Sequence, residues 1–303
     1  MADRLLADLG GTNTRVGLAD ASGFLPDTAR SYANAGFDGL APLLAAYLDD
    51  MKPGPIRALC AGVAGPVRSA TAQLTNRDWF IDGTVLSQAT GAGSVHLLND
   101  LQAHGYGLDD LAPGTLKPLI PGAPDPKGPR LVLNLGTGCN IAVVHRLADR
   151  LFVPASESGH TTLPDWPEMR PLYDRLRADA PHLPVEAALS GPGLSNLHAA
   201  LTEDHLPAAQ ILSGAYPETI TTFTRLLGAV AGNLCLSYMA SGGLILTGGL
   251  ARAIAPCLDS ATFTAPFTAR GPYMAILQAI PVSLVTDDHV GLLGCGRYLA
   301  QRM

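Results

Sequence analysis

Asp8-Leu-Gly-Gly-Thr-Asn13 places a carboxylate, two glycines and two polar side chains directly after an apolar run. Glycines let backbone N–H groups come close to an anion, and Thr12 and Asn13 add side-chain donors. An aspartate at a strand end can hold a hydrated Mg²⁺ beside a phosphate, which is the role expected of Asp8. An ordinary glycine-rich hairpin is the alternative. The motif is neither GxGxxG nor GxxxxGK[ST], so dinucleotide-binding and P-loop chemistry both lose ground.

Two more polar clusters follow apolar runs. Val95-His-Leu-Leu98 leads into Asn99-Asp100, an amide and a carboxylate at the carboxyl end of an expected strand, where open α/β sheets place ligands. Helix capping is the other use for this pair, and the two uses are compatible. Glu157-Ser-Gly-His160 is the second cluster. Two ligands without a nearby cysteine or third histidine make a poor metal site, so hydrogen bonding to a polyhydroxylated ligand suits Glu157 and His160 better. Gly136-Thr137-Gly138 repeats the pattern of the first motif, preceded by Asn134-Leu135 as the first is framed by Asp8-Leu9.

These residues need strands and turns to hold them. Arg4–Asp8, Arg15–Ala19, 57–63 and 94–98 are expected strands, and 39–48 carries leucines at helical spacing. Strand, turn and strand recur at 130–135, 136–140 and 141–145, which suggests a duplicated hairpin opening each half of the chain. Prolines at 113, 118, 121, 124, 126 and 129 cannot support a regular helix or a central strand, so 112–129 is expected to be a linker. A long helix is expected over 218–239, with Gly228 and Gly232 on one face open to a close neighbour. Strands at 242–247 and 281–286 and a helix at 290–301 complete an α/β pattern.

Composition agrees with such a fold and removes several classes of function. The 303 residues suggest two domains, and 47% hydrophobic content is ample for their cores. A net charge of −6 without any basic run argues against nucleic acid as a partner. No apolar stretch reaches the roughly 20 residues of a membrane span. Five scattered cysteines without a CxxC pair, and no signal-peptide core, point to a reducing, cytoplasmic setting.

Taken in order, Asp8-x-Gly-Gly-Thr-Asn, Ala61-Gly-Val-Ala-Gly-Pro, Leu74-Thr-Asn-x-x-Trp79, Asn99-Asp100, Gly136-Thr-Gly, Glu157-x-Gly-His160, Leu189-Ser-Gly-Pro-Gly-Leu194 and Gly248-Gly249 resemble the bacterial glucokinase family over essentially the whole chain. The resemblance implies an actin/hexokinase-like, ribonuclease H-like α/β fold of two duplicated domains around a cleft. The small domain would be 1–108 with 289–303, and the large one 109–288. It implies ATP-dependent phosphorylation of glucose at the 6-hydroxyl, with Mg²⁺, and a homodimer. Asp100 matches the catalytic base. Asn99, Asp100, Glu157, His160 and Glu186 match the sugar-binding set. Asp8, Gly10, Gly11, Thr12 and Asn13 match the first phosphate motif, Gly136, Thr137 and Gly138 the second, and Gly248 with Gly249 the adenosine motif. A kinase for another hexose and a catalytically silent sugar sensor are the rivals.

The chain departs from the family at the second phosphate turn, where Asn140 stands in place of a common glycine. Asparagine tolerates left-handed backbone, so Asn140 is expected to sit at the turn's exit and bring bulk close to the phosphates. On that reading, Asn140→Gly leaves sugar affinity alone, whereas Thr137→Ala weakens ATP use.

Overall fold

A strand that ends in a glycine turn and returns antiparallel leaves its other edge free for a parallel neighbour, and the chain uses this arrangement twice. In a computed structural model, which describes residues 2–75, 77–177 and 182–302, the chain divides into two units. One comprises residues 1–113, 150–155 and 287–303, the other 114–149 and 156–286. Asn76, part of the Leu74–Trp79 motif, lies outside the described residues.

The first unit's sheet runs in the order Gly23–Ala33, Asn13–Asp20, Arg4–Leu9, Ala58–Val63 and Ser94–Asn99. Arg4–Leu9 pairs antiparallel with Asn13–Asp20 and parallel with Ala58–Val63, which in turn pairs parallel with Ser94–Asn99. The two inner parallel strands are almost wholly buried, as strands covered on both faces must be. Leu5, Leu9, Leu43, Leu44, Tyr47 and Leu59 form the centre of the core on one side. The helix Val290–Ala300 packs against the strands Arg4–Leu9 and Ala58–Val63 and against the helix Asp100–Gly107.

In the second unit, Cys139–Leu147 pairs antiparallel with Arg130–Leu135, followed by parallel Gly243–Thr247 and Val282–Val285. Beyond them lies Leu116–Ile120, antiparallel to Val282–Val285. This edge strand corrects the expectation of a structureless linker at 112–129. Pro118 is tolerated because the strand is the outer one, where a missing donor breaks no inner ladder. The rest of the stretch is bound in as well: Ala123 N donates to Ala279 O at 2.8 Å, and Asp125 N to Ser241 O at 2.9 Å.

The long helix spans Pro217–Ser237. Gly228 and Gly232 lie against the carbonyls of Phe263 and Phe267 on the helix Ser260–Thr268, where a Cβ would collide with backbone. The close approach expected from their spacing therefore takes place. Phe223, Leu227, Phe263 and Phe267 bury the seam between the two helices.

Candidate active site

Asp8 is the next-to-last residue of its strand and is only 8% exposed. Its carboxyl lies against two glycines. A Cβ at Gly291 would fall 2.5 Å from Asp8 Cγ, and one at Gly62 would be 3.8 Å from Oδ1. Among the described residues no side chain or backbone N–H donates to this carboxylate. The turn after it closes with Gly10 N donating to Asn13 O at 3.0 Å.

Asn34 holds that turn in place. It is fully buried, and its Nδ2 donates to Gly10 O at 2.8 Å while Thr14 Oγ1 donates to its Oδ1 at 2.7 Å. Asn34 N completes the clamp by donating to Thr12 O at 2.9 Å. Sequence reasoning missed this residue. Thr12 and Asn13 remain exposed at the tip.

Asn99 ends the strand Ser94–Asn99 and caps the helix Asp100–Gly107. Its Oδ1 accepts from Leu101 N at 3.0 Å, and Gln102 Oε1 accepts from Asn99 N at 3.1 Å, a reciprocal capping box. Its Nδ2 reaches Gly65 O at 3.3 Å. Asp100 is the first helical residue, and its Oδ1 accepts from Leu101 N at 2.9 Å. A carboxylate here is stabilised by the unpaired N–H groups of the first turn. The capping and ligand-placing uses of the pair are thus compatible in one structure.

In the second unit, the hairpin turn Gly136–Gly138 closes one residue tighter, with Gly136 N donating to Gly138 O at 2.9 Å. Thr137 is exposed at its tip. Gly191 N donates to Gly136 O at 2.8 Å, tying the turn to the helix Gly191–Thr202. Gly248 has φ +101°, and its Cα lies against Leu135 O and Asn134 Oδ1, so no larger residue fits there. Gly249 opens the following helix, and a Cβ there would meet nothing within 4 Å.

Glu157, His160 and Glu186 come together beside this hairpin. His160 Nδ1 lies 3.5 Å from Glu186 Oε1, and Glu186 Oε2 accepts from Cys139 N at 3.5 Å. Gly159 lies so close to the Cys139 carbonyl that a Cβ there would overlap it, which presses the 157–160 turn onto the strand. Partial desolvation raises the Glu157 carboxyl above its ordinary value; His160 opposes that shift and the Glu186 charge adds to it. Cys139, buried beneath, has its thiol pushed up to about 12 by burial, so it stays protonated.

Asn140 differs from expectation. It is the second residue of the strand Cys139–Leu147 and is not among the residues with left-handed backbone. Its side chain bonds to 156–158 rather than to the turn: Nδ2 donates to Ser156 O at 2.6 Å and to Glu157 Oε2 at 3.1 Å. Strand pairing sets this direction, because Asn140 stands opposite Asn134 in a regular antiparallel ladder.

The sequence matches a family model described as Glucokinase over residues 5–302. A glucokinase of Nostoc punctiforme is 30% identical over 332 residues, spanning 96% of this chain and 96% of the relative. The crystal structure of a glucokinase from an Antarctic psychrotroph superposes with a TM-score of 0.86 at 30% identity, covering 99% of this chain and 100% of the other. A ROK family glucokinase from Streptomyces griseus, solved in complex with glucose and AMPPNP, superposes with a TM-score of 0.67 over 99% of each chain. At 18% identity, that last likeness speaks for fold alone.

Proposed function

The chain belongs to the glucokinase family and transfers a phosphoryl group from ATP to glucose, and from that premise we propose which of its residues carry the transfer. Asp100 is the general base. It accepts the proton of the sugar's 6-hydroxyl as the new bond to phosphorus forms. The observation that carries this role is its placement. The strand Ser94–Asn99 and the capping box deliver Asp100 at a helix start, with one oxygen fixed by Leu101 N.

Asn99, Glu157, His160 and Glu186 hold the sugar hydroxyls, together with Asp100. Their carboxylates accept from hydroxyls, and Asn99 Nδ2 and the His160 ring can donate. Gly10, Gly11, Thr12 and Asn13 at one hairpin and Gly136, Thr137 and Gly138 at the other bind phosphates, and Gly248 with Gly249 binds the adenosine, Gly249 having open space where a side chain would stand. Support for this comes from exposed hydroxyls at both tips and from turns held rigid by Asn34 and by Gly191 N.

Mg²⁺ fits at Asp8. A nearly buried carboxylate with no donor among the described residues, walled by glycines, is suited to hydrated cation binding. When bound, the ion neutralises the charge of the triphosphate. Asp8 would hold it through water, and the glycine at 291 leaves room for the Asp8 carboxyl.

We also read 1–108 with 289–303 as a small domain and 109–288 as a large one, arisen by duplication. The matching order of antiparallel hairpin and parallel strands in the two sheets supports this. No helix among the described residues is long and apolar enough to cross a membrane. Five unpaired cysteines favour a reducing compartment such as the cytoplasm.

Asp100→Asn tests the assignment. The amide retains hydrogen bonding to the sugar but cannot take the proton, so kcat is expected to fall on the order of 10²–10⁴-fold with little change in glucose KM. A folded variant with near-normal kcat would remove Asp100 from the mechanism.

A further inference from the structure

The side-chain amide of Asn140 has two N–H bonds and a carbonyl oxygen with two lone pairs, and all of this capacity is used. Nδ2 donates to Ser156 O at 2.6 Å and to Glu157 Oε2 at 3.1 Å. Oδ1 accepts from Ser158 N at 3.0 Å and from Ile141 N at 2.8 Å. One side chain therefore grips three consecutive residues, by the backbone on either side of Glu157 and by the carboxylate itself.

The residues around this grip leave little freedom. Gly159 seats the next residue directly on the Cys139 carbonyl, and His160 N donates to Glu157 O at 3.1 Å. The Ser156 and Ser158 hydroxyls lie 2.8 Å apart and close the segment on its far side. What remains loose is the tip of Glu157, a long side chain that is partly open to solvent and shares its surroundings with the carboxylate of Glu186. The like charge of Glu186 acts against holding the Glu157 carboxylate nearby unless a donor fixes it. The Nδ2 bond supplies that donor without adding charge.

We propose that Asn140 is a positioning residue for glucose: it fixes the carboxylate of Glu157 in the orientation that meets the sugar hydroxyls, and so helps set sugar affinity. This rests on the reading of Glu157 as a sugar contact. It assigns Asn140 to the sugar side of the hairpin, not to the phosphates.

Steady-state kinetics with glucose and ATP varied separately test it, on the full chain and on Asn140→Gly, Asn140→Asp, Glu157→Gln and the Asn140→Gly/Glu157→Gln double variant. Asn140→Gly is expected to raise glucose KM on the order of tenfold, the scale of one hydrogen bond to a charged group. Most of the loss should lie in KM rather than kcat, with ATP KM changed far less. Asn140→Asp keeps the two acceptor bonds but sets a like charge against Glu157, so its glucose KM should rise further. Its near-identical shape carries the test if the glycine variant does not fold. In the double variant, Asn140→Gly should add less than about twofold to the effect of Glu157→Gln, since the partner it acts through is already changed.

Fully multiplicative effects in the double variant would overturn the proposal, as would a rise confined to ATP KM or an Asn140→Asp enzyme with unchanged glucose KM. Should Glu157→Gln itself leave glucose KM unchanged, the reading of Glu157 fails and takes the proposal with it. A sensitive Glu157 beside an insensitive Asn140 sinks the proposal alone.

Discussion

Asp8 and Asn134 occupy the same place in their two sheets. Each is next to last in its strand, with an antiparallel partner on one side and a parallel one on the other: Arg15 and Gly62 for Asp8, Asn140 and Thr247 for Asn134. A glycine Cα closes on each side chain, Gly291 on the first and Gly248 on the second. Here the likeness stops. Asp8 is a carboxylate to which none of the described residues donates, and its turn is clamped from behind by buried Asn34. Asn134 is neutral and packed under a glycine with left-handed backbone, while the charges around its hairpin belong to Glu157 and Glu186. The same strand geometry thus presents an anionic strand end in one unit and a carboxylate-lined flank in the other. Where the charge sits, rather than the shape of the turn, separates the two hairpins, and the proposed division into a cation-holding first hairpin and a second that meets phosphate on its tip and sugar on its flank depends on that difference.

The most severe way to break this contrast is to erase the charge. Asp8→Asn gives the first hairpin the chemistry of the second with almost no change in shape. It is expected to lower kcat on the order of 10²–10³-fold, since electrostatic stabilisation of the transferring group is lost, while circular dichroism and melting stay near wild type. A folded Asp8→Asn enzyme with unimpaired kcat would show that the charge difference is not what distinguishes the two hairpins.

Next in size is the buried side-chain clamp that Asn34 sets on the first hairpin, where the second is tied by a backbone bond from Gly191 N. Asn34→Ala leaves the Gly10 carbonyl and the Thr14 hydroxyl without their buried partner, a loss of about 1–3 kcal/mol in folding stability. Chemical denaturation measures it. ATP KM should rise in the same variant while glucose KM holds; the reverse pattern would separate this turn from nucleotide binding.

The smallest effect sharpens the second hairpin. Glu157 is raised by partial desolvation first, with His160 opposing and Glu186 adding. A raised carboxyl regains its proton at a higher pH than usual as the solution is acidified, and the neutral form accepts hydroxyl hydrogen bonds more weakly. Glucose KM should therefore begin to climb above the ordinary carboxylate range on acidification. In Glu157→Gln that part of the profile should be flat. A climb that persists unchanged in the glutamine variant would assign the titration to another group.

Legibility in the sequence followed the range of each interaction. Strand-ending motifs such as Asp8 to Asn13 and Asn99-Asp100 are local, because apolar runs and glycines announce both the strand and its turn, and the strands Arg4–Leu9 and Ser94–Asn99 lie where those runs do. Asn34 was invisible because nothing near it in sequence hints at a hairpin more than twenty residues back. Asn140 was noticed for the wrong side: ladder register decides which way its side chain turns, and its partners lie 16 to 18 residues further on. At 116–120 the prolines excluded a helix and a central strand, as the structure bears out, but the step from there to a linker overlooked the outer place in a sheet, which proline tolerates.

That outer strand also has a bearing on how the molecule behaves in crowded solution. A sheet edge normally offers a row of unsatisfied N–H and C=O groups to which any passing extended chain can add. Here the row is broken by Pro118, which has no hydrogen to give, and Lys117 beside it places a solvated charge on the approach. The residues that follow are tied to Ala279 and Ser241, which anchors the chain just beyond the strand's end. An outer strand carrying a proline and an exposed lysine is, by the general rule for sheet edges, poorly suited to pairing with another extended chain.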